Sequence, residues 1–219
     1  DLTRQDTWKN IPTDGELLWC FPATPLDLVK QFAATLELCS RRLVVLGSTS
    51  AYATDGSIEY PPHWIDERAI IDLAQPRVQG EEFLRTHCAA VILRVAGIYG
   101  PGRNPIDWIK RGRVGPSRKY VNLIHAEDLA AICLAAIERG TPCETYNVSD
   151  GIPKTWEQIC RFAKTRWGIQ PSVEIDDEST GKRIANGKLL SLLSSAQKSL
   201  AHSDFYRSLE RLHPDQTAT

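Results

Sequence analysis

The stretch LGSTSAYATDG, residues 46–56, follows the apolar run Leu43–Val44–Val45 and closes it with small hydroxyl residues. A strand that ends this way presents its hydroxyls at the rim of a sheet, where open α/β sheets take their ligands. Ser48 is therefore a candidate for ligand chemistry, and equally for capping the turn behind it. In the first role it needs a proton-transfer partner within hydrogen-bond reach. Further along, Arg103 and Asn104 follow a Tyr-Gly-Pro-Gly turn. They could hold a phosphate, or be no more than exposed loop residues. His125 precedes Ala-Glu-Asp at a helix entry, where capping or packing competes with catalysis. Asp128 in the same segment reads as a loop tie. The histidines at 63, 87, 202 and 213 have no metal-ligand spacing, so no metal is expected.

These residues need elements to carry them. Residues 16–22, ELLWCFP, read as a short buried strand, and apolar residues at helical spacing predict a helix over 24–38. Strands follow at 41–48, 89–100 and 144–150, with helices at 77–87 and 125–140, the last stopped by Gly140. Thr155 and Gln158 stand at capping-box spacing before another helix. SVEID, 172–176, is a weak strand, and the tail from Gly187 is mainly helical. Strands that are apolar on both faces and alternate with helices define an α/β fold with a covered parallel sheet. The expected division is a first domain over 1–150, with a substrate loop at about 99–119, and a C-terminal substrate-binding region over 151–219.

Composition narrows the class. The chain has 219 residues, 42% of them hydrophobic, enough for a sizeable core. A formal net charge of −1, spread along the chain, predicts no nucleic-acid partner. The apolar runs are too short to span a bilayer, and no membrane partner is expected. Cysteines at 20, 39, 88, 133, 143 and 160 show no regular spacing. They read as reduced, mostly buried thiols of a cytoplasmic protein. Methionine is absent even from position 1, which points to a chain cut, processed or incomplete at its front.

Five segments in order, LVVLGSTSAYA, WIDE, LRVAGIYGPGRNP, VNLIHAEDLA and YNVSDGIPKTWEQI, resemble the NAD-dependent epimerase/dehydratases, extended or atypical short-chain dehydrogenase/reductases. The resemblance runs from about residue 16 to the end. It implies a Rossmann-like doubly wound parallel sheet, NAD or NADP as cofactor, a nucleotide sugar or related polyol as substrate, and a homodimer through helices 24–38 and 77–87. It also implies a Tyr-x-x-x-Lys pair beside the serine. Ser48 fills the serine position, but Leu73 stands in the tyrosine slot and Arg77 in the lysine slot. Leucine moves no proton, and arginine keeps charge without being an adaptable acid or base. Tyr52 falls on a packing position, and residues 61–98 contain no tyrosine. Pro22 and Ala23 correspond to the adenine and ribose side, and Ala96, Gly97 and Ile98 to the backbone that meets the nicotinamide amide. Arg77 is a cofactor candidate, and Arg103, Asn104, His125 and Arg183 are substrate candidates. The glycine-rich pyrophosphate turn has no counterpart in the sequence. Its expected place is upstream of Asp1, on strands whose loss would leave one side of ELLWCFP bare. The resemblance therefore allows two proteins: an NAD(P)-dependent enzyme with a degenerate site, or a catalytically inactive NAD(P)-binding sensor, regulatory or assembly protein.

Overall fold

A computed structural model describes residues 2–12, 14–53, 59–173 and 179–213. Four parallel strands make the central sheet: β1 (Leu17–Trp19), β2 (Leu43–Ser48), β4 (Val91–Val95) and β8 (Thr145–Val148), in the order β1-β2-β4-β8. Val45 pairs with Trp19 on one side and Ile92 on the other, and Gly47 and Ser48 pair with Arg94 and Val95. Arg94 in turn pairs with Asn147. Among the described residues β1 has β2 as its only neighbour, so its outer side is an edge.

Helices cover both faces. α1 (Leu26–Thr35) and α2 (Pro76–His87) pack with Leu43, Val45 and Ile92 in one apolar cluster. α4 (Ala126–Arg139) and α6 (Gly187–Ser195) pack with Val44, Leu93 and Val95 in another. Pro76 starts α2, where its missing N–H costs nothing. α4 ends at Gly140, whose N–H donates to the Ala136 carbonyl, and Arg42 just before β2 donates to the carbonyls of Ala136 and Ile137, each at 3.0 Å. Thr155 and Gln158 form the capping box of α5 (Trp156–Trp167) as the sequence predicts.

The strand expected over 89–100 breaks at Ala96. The Ala96 N–H still reaches Val148, but the Gly97 N–H turns to the Asn122 carbonyl. From there β5 (Gly97–Tyr99) leaves the sheet and pairs in parallel with β7 (Leu123–His125). Two further pairs frame the C-terminal region: β6 (Tyr120–Val121) with β9 (Lys154–Thr155), and β3 (Trp64–Ile65) with β10 (Arg183–Ile184). α3 (Pro105–Lys110) and α7 (Phe205–Leu212) complete it. Of the strand expected at 172–176, Ser172 and Val173 are irregular and the rest lies outside the described residues.

The cysteine reading needs correction. Cys39 and Cys88 form a disulfide, because α1 and α2 lie side by side and bring their C-terminal ends together. Cys20 and Cys143 are exposed; Cys133 and Cys160 are buried and free. No helix among the described residues is long and apolar enough to cross a membrane.

Candidate functional site at the carboxyl ends of the strands

Ser48 ends β2, and its hydroxyl accepts the Ser50 N–H at 3.1 Å, which starts the short turn Thr49–Ala51. The following segment is stitched to the loop before α2. Ala53 N–H donates to Ile70, Asp72 N–H donates to Ala51 at 2.8 Å, and the Gln75 amide donates to the Ser50 carbonyl at 3.0 Å. Leu73 sits on that loop, 55% exposed. One turn into α2, Arg77 donates from Nη2 to the Ser50 hydroxyl at 2.9 Å. A cationic arm thus crosses the rim between β2 and α2.

Gly80 sets how close that arm comes. A Cβ at Gly80 would lie 1.9 Å from the Ala23 carbonyl oxygen, so only glycine lets α2 seat against the end of β1. Ala23 is buried beneath this contact, while Pro22 is exposed.

A turn below Arg77, Glu81 lies against Gly47 with 2% exposure. Burial raises its pKa to about 7, against the pull of Arg77 and Arg94. Its Oε1 is 4.0 Å from Arg77 Nε. Three buried polar atoms in this region have no partner: Arg77 Nε, Glu81 Oε2 and Arg94 Nε. By the pleat, Gly47 and Ser48 face opposite sides of the sheet, so Glu81 lies behind the rim and away from the serine hydroxyl.

Tyr52 is equally removed from chemistry. Its hydroxyl donates to Asn147 at 2.6 Å, Arg94 lies over its ring at 4.8 Å, and burial raises its pKa. Its packing role agrees with the sequence reading.

The remaining candidates divide by location. Ala96 is buried, Gly97 is exposed and Ile98 is half-buried where the chain leaves the sheet. Arg103 folds back to donate to the Ile98 carbonyl at 3.1 Å. Asn104 is buried; its oxygen caps α3 through Ile106, and its amide donates to the Leu212 carbonyl at 3.3 Å. His125 is buried and caps α4, accepting the Glu127 N–H at 3.3 Å. Asp128 does tie a loop, accepting the Ala201 and His202 N–H groups at 2.8 and 3.0 Å.

Arg183 belongs to a different wall. It donates to the Pro62 carbonyl at 2.6 Å and lies over the rings of Trp64 and Tyr120 at 4.9 and 5.9 Å. Arg118 lies over Tyr60 at 3.9 Å, and the Lys182 ammonium donates to the Tyr52 carbonyl. Burial lowers the pKa of Lys182.

Sequence reasoning missed Ser50, Gln75, Glu81 and Lys182. The i,i+4 spacing of Arg77 and Glu81 was a usable signal, because it puts both on one helix face. Nothing local marked Lys182, whose contact lies 130 residues away in the chain.

No family model matches the chain, and no curated protein matches it. Solved structures do. A putative NAD-dependent epimerase/dehydratase from Methylobacillus flagellatus superposes with a TM-score of 0.75 at 23% identity, covering 97% of this chain and 81% of its own. A conserved protein of unknown function from Silicibacter pomeroyi gives 0.69 at 22%, covering 90% and 76%. MoeE5 in complex with UDP-glucose and NAD gives 0.72 at 15%, covering 95% and 81%. The parallel sheet, its order and its helical layers are thus those of a Rossmann-like α/β protein. Among solved structures this form of the fold is shared with an NAD-dependent epimerase/dehydratase.

Proposed function

We propose that the chain is a member of the epimerase/dehydratase family that binds NAD or NADP and a nucleotide sugar at the rim of β2 and β4, with an active site that lacks the phenolic acid/base. The carrying observation is the Arg77–Ser50 contact of 2.9 Å next to an exposed Leu73. A cation is kept at the rim, and the neighbouring position is aliphatic.

The residues present fit the nicotinamide end of a dinucleotide. Gly97 offers bare backbone; a Cβ there would sit 3.0 Å from the Leu123 side chain and close the space above the strand end. Arg77 and Ser50 would hold a ribose hydroxyl or phosphate, and Ser48 would orient a substrate oxygen. When bound, the cofactor would supply hydride acceptance and donation. Pro22 lies open at the end of β1 for the adenine side. Arg183 with Trp64 and Tyr120 forms a cationic, aromatic wall suited to a nucleotide. MoeE5 holds UDP-glucose and NAD in its complex, which supports this ligand class. Residues 1–150 would form the cofactor part and 151–219 the substrate part. A dimer through α1 and α2, and a cytoplasmic location, belong to the same reading. The Cys39–Cys88 bridge removes the cysteine argument for that location.

A second reading, binding without turnover, is favoured by Leu73 itself, since its aliphatic side chain stands in the tyrosine slot and moves no proton. The two separate in one experiment. NADPH and NADH are titrated by tryptophan fluorescence, then nicotinamide absorbance is followed with a panel of nucleotide sugars, for the chain and for L73Y/R77K. Binding by both proteins, with turnover only in the double variant, identifies a site degenerate in its acid/base alone. Absence of dinucleotide binding by either protein sinks the proposal.

A further inference from the structure

Away from the strand ends, the rings of His125 and His202 stack with centroids 3.6 Å apart and planes 17° from parallel. His125 Nδ1 accepts the Glu127 N–H, so that nitrogen carries no proton and the ring is neutral. His202 bonds at both nitrogens. Its Nε2 is 2.9 Å from the Glu127 carboxylate, and its Nδ1 is 3.1 Å from the Ser208 hydroxyl. The Ser208 hydroxyl also donates to the Asp204 carbonyl at 2.9 Å. Glu127 is held below the usual carboxylate range by its bond to His202. His202 is thus fixed at both nitrogens and lies flat on the neutral, capping ring of His125.

His125, Glu127 and His202 have the composition of a metal-ligand set. The geometry opposes that use. An ion bonded to both rings would have to lie in both ring planes, and these are stacked.

The pair sits where the segment leading into α7 meets the start of α4 and the loop after β5. Tyr99 packs edge-on against His125 and against Phe205 of α7, each at 5.1 Å. Asn104 holds the end of α7 through Leu212. The charged groups facing the stack are Glu127 and Asp128 of α4; Asp204, before α7, turns its carboxylate to the Arg207 N–H. Asp150, paired to Lys154 at 2.7 Å, lies beyond Tyr99.

We propose that His125 and His202 form a proton-operated clasp: while His125 is neutral the stack holds the segment leading into α7 against the start of α4, behind the 99–104 loop, and protonation of His125 releases it. A proton on His125 Nδ1 would take away the lone pair that caps α4. Burial and the neighbouring His202 already lower the His125 pKa from its ordinary 6.5, the direction such a clasp requires. Stability from this group is complete above pH 6.5 and is lost as the pH falls from there through the folded-state value. This inference needs only the fold and is independent of cofactor binding.

Hydrogen exchange on the full chain tests it. Below pH 6.5, the protection factors of Phe205–Leu212 should fall by up to about tenfold per pH unit relative to those of Leu26–Thr35. H125N, which keeps a capping oxygen without a titrating ring, should retain α7 protection in acid. Flat protection in the wild type, or acid loosening of H125N equal to that of the wild type, overturns the clasp. If H125N does not fold, ring nitrogen NMR of the wild type at neutral pH decides. His125 should carry its proton on Nε2 alone; a proton on His125 Nδ1 overturns the proposal. Stoichiometric zinc perturbing both rings together would overturn it too.

Discussion

On the face covered by α4 and α6, the central strands present Val44, Leu93, Val95, Tyr146 and Val148, all within one apolar cluster. On the α1/α2 face the same strands begin alike, with Leu43, Val45 and Ile92. Nearer their carboxyl ends they turn to Gly47, Arg94 and Asn147. Onto that polar half pack Glu81, Tyr52 and Glu82, whose Oε1 meets Arg94 at 3.3 Å. Alternation along a strand separates the two kinds of environment by one sheet thickness. The first face gains stability from apolar burial alone. The second buries charge, which costs stability unless every group is paired. Its pairing is incomplete at Arg77, Glu81 and Arg94. The incomplete pairing lies beneath the Arg77 arm, on the face opposite the Ser48 hydroxyl, and this is the face whose stability should respond to pH.

Three substitutions bear on this contrast. L93A on the apolar face should cost about 4 kcal/mol, by lost burial and cavity formation, equally at pH 5 and pH 8. Chemical denaturation at both pH values measures it, and a pH-dependent cost would erase the distinction between the faces. E81Q removes the titration on the other face. Glu81 has a folded pKa of about 7 against an ordinary 4.5, so the native chain holds a proton there that the unfolded chain gives up. Wild-type stability should therefore decline by about 3 kcal/mol relative to E81Q between pH 4.5 and 7, and run parallel to it above. Parallel curves throughout would show that Glu81 is ionised in the fold. S50A, at the exposed rim, should cost less than about 1 kcal/mol at any pH. It should still weaken dinucleotide binding by freeing Arg77, and unchanged fluorescence titrations would detach that arm from the ligand.

Much of the frame was legible in the residues. The capping box at Thr155 and Gln158 and Gly140 closing α4 are local signals, and each stands where it was read. Ser48 was placed at a strand end because an apolar run must stop where the sheet meets solvent. The break at Ala96 was not legible, since residues 91–99 are apolar but for Arg94 and only the Asn122 carbonyl diverts Gly97. The β3–β10 pair escaped notice because two-residue strands carry no periodicity.

Periodicity, caps and breakers act over a few residues, so the sequence by itself determined which segments become strands and helices and which faces they bury. Partners came from chain return. The Arg77 arm onto Ser50 spans 27 residues, and the His202 contact with Glu127 spans 75. The disulfide joins residues 49 apart. A side chain's charge state and reach depend on what is packed against it, and only the tertiary structure decided that Glu81 would be buried under Gly47 and that two histidines would share one stack.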